Sequence, residues 1–286
     1  MMALLIQEYQ TGYGGALTTL CALASINRLE VYRHLHHDPA YDRDKEARGQ
    51  IGAVVRDWPL YGIQKVTHEL RRRDHRLNHK RVYRIMKECN WLHINKRKRK
   101  KTTQSDHEHA IFPNLARGME LTGLDQLWVA DITYIHLVEE DAYLAVILDA
   151  YSRRCIGWHL SASLDHSLPL QALESALRTR EVSSGLVHHS DQGVQYACGE
   201  YVDRLQSVGI RPSMSRKGIP QDNAKAESFF KTAKCEEVYL NEYLGIADAR
   251  KQIGRFIEKV YNEARLHSAL GFMPPCEFEA LLSGTR

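Results

Sequence analysis

Residues 126–136 alternate, with Trp128, Ala130, Ile132 and Tyr134 on one side and Val129, Asp131, Thr133 and Ile135 on the other. A two-residue period of this kind predicts a strand packed on both faces. It also places a carboxylate, Asp131, in mid-strand. Two further apolar runs, residues 142–148 and 155–160, flank the turn 152–154 and predict three consecutive hairpin-connected strands. The period then lengthens: residues 166–180 predict a helix whose apolar face carries Leu170, Leu173, Ala176 and Leu177. A strand at 186–189, a helix at 196–207, a strand at 210–214 and a helix beginning near Asp222 or Asn223 complete the series.

The N-terminal part has helical texture throughout. Residues 16–35 and 44–56 are helix-compatible, with a break at Asn27. Residues 62–73 set Ile63, Val66 and Leu70 at helical spacing. Asn78 is placed to cap a following helix that carries Val82, Ile85 and Met86. Two short helices joined by a basic turn, 74–77, form a helix-turn-helix pattern. The second helix of such a pair presents its side chains to a DNA groove, here Lys80, Arg81 and Arg84.

Charge strengthens that expectation. The net charge of the 286-residue chain is +4, but residues 61–101 hold 15 basic side chains against 3 acidic ones. A surplus of twelve in one segment, on a body that is otherwise net acidic, points to a polyanion such as DNA, because Lys and Arg near phosphates release condensed counterions. The bland alternative is a solvated basic helix or tail. With 43% hydrophobic and 26% charged residues, the composition is that of a chain able to bury a core. No apolar run is long enough to cross a membrane. The six cysteines, Cys21, Cys89, Cys155, Cys198, Cys235 and Cys276, form no close pair. They suit a reducing cytoplasm better than a disulfide framework or zinc site. His34, His36 and His37 lack a partner at metal-binding spacing and are expected at a solvated helix end.

Three strands, helix, strand, helix, strand, helix is the order of an RNase H-like mixed sheet with helices on its faces. Such a fold carries acids on its first strand, at the end of its fourth and on a later helix. Asp131, Asp191 and Glu227 hold those places. A carboxylate buried in mid-strand is costly unless compensated by a cation. Oxygen-only donors suit Mg²⁺, two of which, roughly 3.5–4 Å apart, would activate the attacking oxygen and stabilise the leaving oxygen of a phosphodiester. With 35 acidic residues in the chain many such triplets exist, and spacing alone leaves a solvated-surface reading open. Asp149 competes for the site but sits before a turn. The adjacent His189 and Ser190 lack a nucleophile elbow and point to opposite faces.

The words around these acids are specific. LWVADITY at 127–134, HSDQGVQY at 189–196 and DNAKAESFF at 222–230, with thirty-five residues between the second and third acids, resemble the three blocks of a retroviral-integrase-like DDE transposase. The tail at 261–271, the following Pro274, Pro275, Glu277 and Phe278, and the basic helix pair resemble the B-frame product of frameshifting bacterial insertion sequences. The resemblance runs from about residue 45 to the end. It implies an α/β, RNase H-like catalytic core at 122–240, preceded by an N-terminal helical segment at 1–43, a basic helix-turn-helix domain at 44–101 and a linker at 102–121, and followed by a short C-terminal helical segment at 241–286. It further implies Asp131, Asp191 and Glu227 as catalytic and metal-binding residues, with two Mg²⁺ ions or Mn²⁺ in their stead, and DNA cleavage at element ends followed by strand transfer. The implied partners are terminal inverted repeats, target DNA, further copies of the chain and a partner or fused upstream A-frame product. No membrane is involved, and the site of action is the bacterial cytoplasm at the nucleoid. Lys231 and Lys234 lie at i+4 and i+7 from Glu227, on one helical face suited to the DNA backbone. A catalytically inactive DNA-binding regulator and a structure-specific nuclease are the competing functions.

Overall fold

The computed structural model describes residues 17–27, 31, 44–92, 110–138 and 140–284. They form two compact units, Met1–Pro59 with Leu70–Leu92, and Leu60–Glu69 with His93–Arg286. The expected helix at 16–35 is found as α1 (Leu17–Ala24), with Asn27 beyond its end. Most of residues 28–35, the histidine cluster and the basic run 96–101 lie outside the described residues.

The first unit is built on α2 (Lys45–Asp57) and α4 (His79–Glu88), while α3 (Ile63–Arg72) crosses the boundary between units. Ala47, Ile51 and Val54 of α2 and Val82, Ile85 and Met86 of α4 are buried, the i, i+4, i+7 and i, i+3, i+4 spacings of helices that share a core. α4 starts as its sequence dictates. Asn78 is extended (φ −70°, ψ 136°) and its side chain accepts from the Lys80 amide at 2.8 Å. The Asp44 carboxylate then joins the start of α2 to α4 by accepting from Arg81 at 2.8 Å and Arg84 at 2.7 Å.

The second unit is a five-stranded sheet: β1 (Leu127–His136), β2 (Asp141–Asp149), β3 (Cys155–Ser161), β4 (Val187–Ser190) and β5 (Arg211–Met214), ordered β3-β2-β1-β4-β5. The two hairpin junctions are antiparallel, and β4 and β5 join in parallel, the mixed sheet that the element order predicts. α5 (Ser167–Leu177), the short α6 (Val194–Ala197) and α7 (Gly199–Ser207) cover one face, where Trp128, Ala130, Ala145 and Ile147 are buried against Leu168, Ala172, Tyr196 and Tyr201. Leu127, Val129, Val146 and Leu148 face the other way, toward Phe229 and Ala233 of α8 (Ala224–Glu236). The alternation of β1 therefore sorts its side chains between two cores.

The same second face takes the C-terminal segment. α9 (Ile246–Arg255) runs into a π-helical turn at Phe256–Asn262, and α10 (Pro275–Gly284) follows. Ala249, Ile253, Phe256, Ile257 and Tyr261 enter the core over the sheet. The Asn262 amide pairs with both backbone groups of Cys155 at 2.9 Å, and so satisfies an edge strand from the side. Glu279 of α10 accepts from Ser152 and Arg154, each at 2.6 Å, and from Arg180, a buried knot that ties α10 to the β2–β3 turn.

Gly157 marks where α5 lies closest to the sheet. A β-carbon there would stand 2.3 Å from the Ala172 carbonyl oxygen and 2.8 Å from the Ala176 β-carbon. Gly157→Ala is expected to cost about 1–3 kcal/mol of stability by overpacking. A denaturation midpoint equal to that of the wild type would show that α5 retreats without penalty.

Candidate active site

β1 and β4 run side by side in parallel, and their last paired couple is Val129 with His189. Asp131 and Asp191 each stand two residues past that couple, Asp191 just beyond the end of β4, so the parallel ladder brings the two acids to the same end of neighbouring strands. α8 enters on the Asp131 side of the sheet, and Glu227 lies in its first turn, exposed. Asp131 is only partly exposed. Desolvation, followed by the charge of Asp191 and, less strongly, that of Glu227, pushes its pKa up to about 8, although the Ile132 amide donates to it at 2.8 Å. The three acids expected from the sequence therefore share one electrostatic site. Among the described residues no set of three or more His, Cys, Asp and Glu side chains stands at ligand range of a single ion.

Three local features hold this arrangement. The Asp191 carboxylate accepts from the Gly193 amide at 2.9 Å, and a β-carbon on Gly193 would meet the same Oδ1 at 2.9 Å, so a side chain there would push the acid from that seat. The loop before α8 is clasped by Asp222, which accepts two guanidinium bonds and a backbone bond from Arg216 and one bond from Asn114. Those donors hold the Asp222 carboxyl well below the usual carboxylate range. Asn223, four residues before Glu227, is buried and donates to the Ala130 carbonyl at 2.9 Å.

Asp222 and Asn223 stand at the start of α8, where the N-cap residue Asn223 makes no side-chain cap hydrogen bond. They cross-link its start to the loop and to the strand of Asp131. Asn223→Ala is expected to leave the Ala130 carbonyl without that donor, costing about 1–3 kcal/mol. It is also expected to lower the turnover rate more than DNA binding, whereas an equal fall in both would reduce its role to folding.

The competing residues resolve as structural. Asp149 is fully buried and accepts from the amides of Asp125, Tyr151 and Ser152, a turn-forming task. The Ser190 hydroxyl donates to the Asp191 carbonyl and His189 Nδ1 faces Ser213, so the two form no nucleophile-base pair. Glu236 is bonded twice to Arg265 at 2.7 Å. Arg265 and His267 are buried packing residues of the tail. Lys231 is exposed. Lys234 stands with its Nζ 4.7 Å from the centre of the Tyr134 ring, within the field of Asp131.

Residues 122–220 and 208–275 match two family models described as integrase core domain, and residues 42–99 match an HTH-like domain. The chain is 33% identical over 263 residues to an insertion element IS600 uncharacterized 31 kDa protein from Shigella sonnei, covering 91% of this chain and 97% of that one. It is 34% identical over 220 residues to the transposase for insertion sequence element IS904 from Lactococcus lactis, covering 77% and 87%. The chain belongs to the insertion-sequence transposases. Among solved structures, the catalytic core domain of BIV integrase aligns with 57% of the transposase and 99% of its own chain, at 18% identity and a TM-score of 0.40.

In the helix-turn-helix region of the transposase, Lys80 is exposed at the start of α4. Arg81 and Arg84 keep 40% and 51% of their side-chain surface exposed while paired with Asp44, so any phosphate reaching them competes with that carboxylate. Among the described residues no helix is long and apolar enough to cross a membrane.

Proposed function

We propose that this transposase cuts DNA at the ends of its insertion element and joins the freed 3′-hydroxyls to target DNA, with Asp131, Asp191 and Glu227 as the catalytic acids holding two Mg²⁺ ions, for which Mn²⁺ substitutes. The observation that carries this reading is the clustering of charge at Asp131, which sits partly enclosed beside two other acids whose repulsion outweighs the Ile132 amide and Lys234. Three carboxylates supply hard oxygen donors and the negative charge that a divalent cation neutralises, so the donor set fits the group. When bound, the ions supply activation of the attacking oxygen and stabilisation of the leaving one.

The chain's own residues do the rest. Asp131 on β1 and Asp191 just past the end of β4 present their carboxylates at one end of the paired strands, and the Gly193 amide donates to that of Asp191. Asn223 fixes the start of the helix that brings Glu227 to them. Lys231 and Lys234 hold the DNA backbone beside the acids, and Lys80, Arg81 and Arg84 bind DNA from the basic domain at residues 44–101. The protein works in the bacterial cytoplasm at the nucleoid, as a homo-oligomer, with an upstream A-frame product as partner or fused segment.

Cleavage of a terminal inverted repeat is compared with cleavage of scrambled DNA in Mg²⁺. This reading expects cutting and joining confined to the terminal repeat. Equal cutting of both would favour a structure-specific nuclease, and end binding without any cutting would favour a regulator.

A further inference from the structure

α4 sorts its side chains into three stripes. Val82, Ile85 and Met86 are buried. Arg81, Arg84 and Glu88, at i, i+3 and i+7, form a second stripe that is already paired. The Asp44 carboxylate accepts from Arg81 at 2.8 Å and from Arg84 at 2.7 Å, and Glu88 accepts from Arg84 at 3.1 Å. Lys80, Tyr83 and Lys87 repeat that spacing one residue earlier and make the third stripe. At 3.6 residues per turn, these three lie within about 60° of one another around the helix axis. All three are exposed, Tyr83 at 44%, and their side chains have no hydrogen bond, ion pair or ring contact among the described residues.

The two outer stripes differ in what they can read. Arg81 and Arg84 each spend guanidinium nitrogens on a carboxylate, and must surrender charge-assisted bonds to reach a base edge. Lys80 and Lys87 carry ammonium groups without an acid of their own, which suits a surface lined with phosphate. The ring between them puts an apolar body on a basic face. In the major groove the apolar feature of a base pair is the thymine 5-methyl group, whereas the other features are donors and acceptors. Tyr83 also stands in the first half of α4, the part of a recognition helix that meets base edges.

We propose that Tyr83 is the sequence-reading residue of α4, packing its ring on a thymine methyl in the major groove of the element end. Lys80 and Lys87 fix the helix on acceptors and phosphates to either side, and Arg81 and Arg84, held by Asp44, serve phosphate alone. The proposal rests on the reading that the basic domain at residues 44–101 binds element ends, and deepens it by naming the stripe that discriminates between sequences.

The test titrates the full chain in Ca²⁺ against element-end DNA in which each thymine in turn is replaced by deoxyuridine, which removes only the methyl. At least one replacement weakens wild-type binding by about 3- to 5-fold, the worth of one buried methyl group. Tyr83→Ala abolishes that response and Tyr83→Phe keeps it. Arg84→Ala also keeps it, but weakens binding to end and scrambled DNA alike and lowers the slope of log affinity against log salt by about one. Affinity for scrambled DNA reports whether the alanine variant is folded; if that is lost, Tyr83→Gln takes its place with the same two outcomes. A methyl response that survives without the ring, or one that Arg84→Ala abolishes, overturns the assignment. Preference for element ends with no methyl response at any thymine overturns the role of Tyr83 and leaves the functional reading standing. A wild type that binds ends no better than scrambled DNA overturns both.

Discussion

Asp191→Asn is expected to lose at least about 10²-fold of both cleavage and joining rate while element-end binding changes little, on the scale of removing one preorganised charge-stabilising group from a reaction centre. The substitution keeps the volume of the side chain and leaves an oxygen to accept from the Gly193 amide, so the turn after β4 retains its hydrogen bond. What disappears is one formal negative charge that acts on Asp131. A hard cation depends on that charge, whereas the basic surface that grips DNA does not. Single-turnover cutting and a mobility-shift titration on the same DNA separate the two quantities. Cutting within threefold of wild type would remove Asp191 from the mechanism, and a parallel collapse of binding would make it a structural residue.

Asp131→Asn is expected to be equally inactive and, in the metal-free protein, more stable than the wild type. The folded pKa of Asp131 is raised from 3.8 to about 8, by desolvation first and by Asp191 next. Between those two values the folded chain holds a proton that the unfolded chain has released. The free energy of unfolding therefore falls as pH rises through that window, and the full penalty is present above it. The amide variant carries no such proton. Discounted for the partial exposure of the site, the gain at about pH 8 is at least about 1 kcal/mol, a rise of roughly 2–4 °C in Tm. Divalent metal should raise the Tm of the wild type by mass action and leave that of the variant nearly unchanged. Thermal scans in chelator across pH check this. A wild-type Tm that does not fall between about pH 5 and about pH 8, relative to the variant, would mean that Asp131 is not under the strain derived for it.

The sequence made the sheet legible because burial on two faces writes a period of two directly into β1, and a helical period into α5 and α8. The strand expected at 142–148 is found at Asp141–Asp149, and the one expected at 186–189 is found at Val187–Ser190. The three acids proposed for the site stand out in the sequence because each sits inside a short specific word.

Pairings between distant parts of the chain were not legible. Asn223 has the residue type and place of a helix cap, yet it donates to a carbonyl 93 positions away, a choice made by the packing of α8 on β1. Arg81 and Arg84 look like free groove-facing cations, and only the folded helices bring Asp44, 37 and 40 positions distant, between them. The tail was expected as a short helical segment. Its π-helical turn, the Asn262 clasp on β3 and the Glu279 knot depend on a sheet edge that no local pattern announces.

Anomalous diffraction from the full chain bound to a cleaved element end in Mn²⁺ probes the account at its centre. It should show two peaks about 3.5–4 Å apart, ligated by Asp131 and Asp191 with Glu227 closing on one of them. Peaks held elsewhere, or an enzyme that cuts in the same buffer with neither aspartate touching a metal, would contradict it.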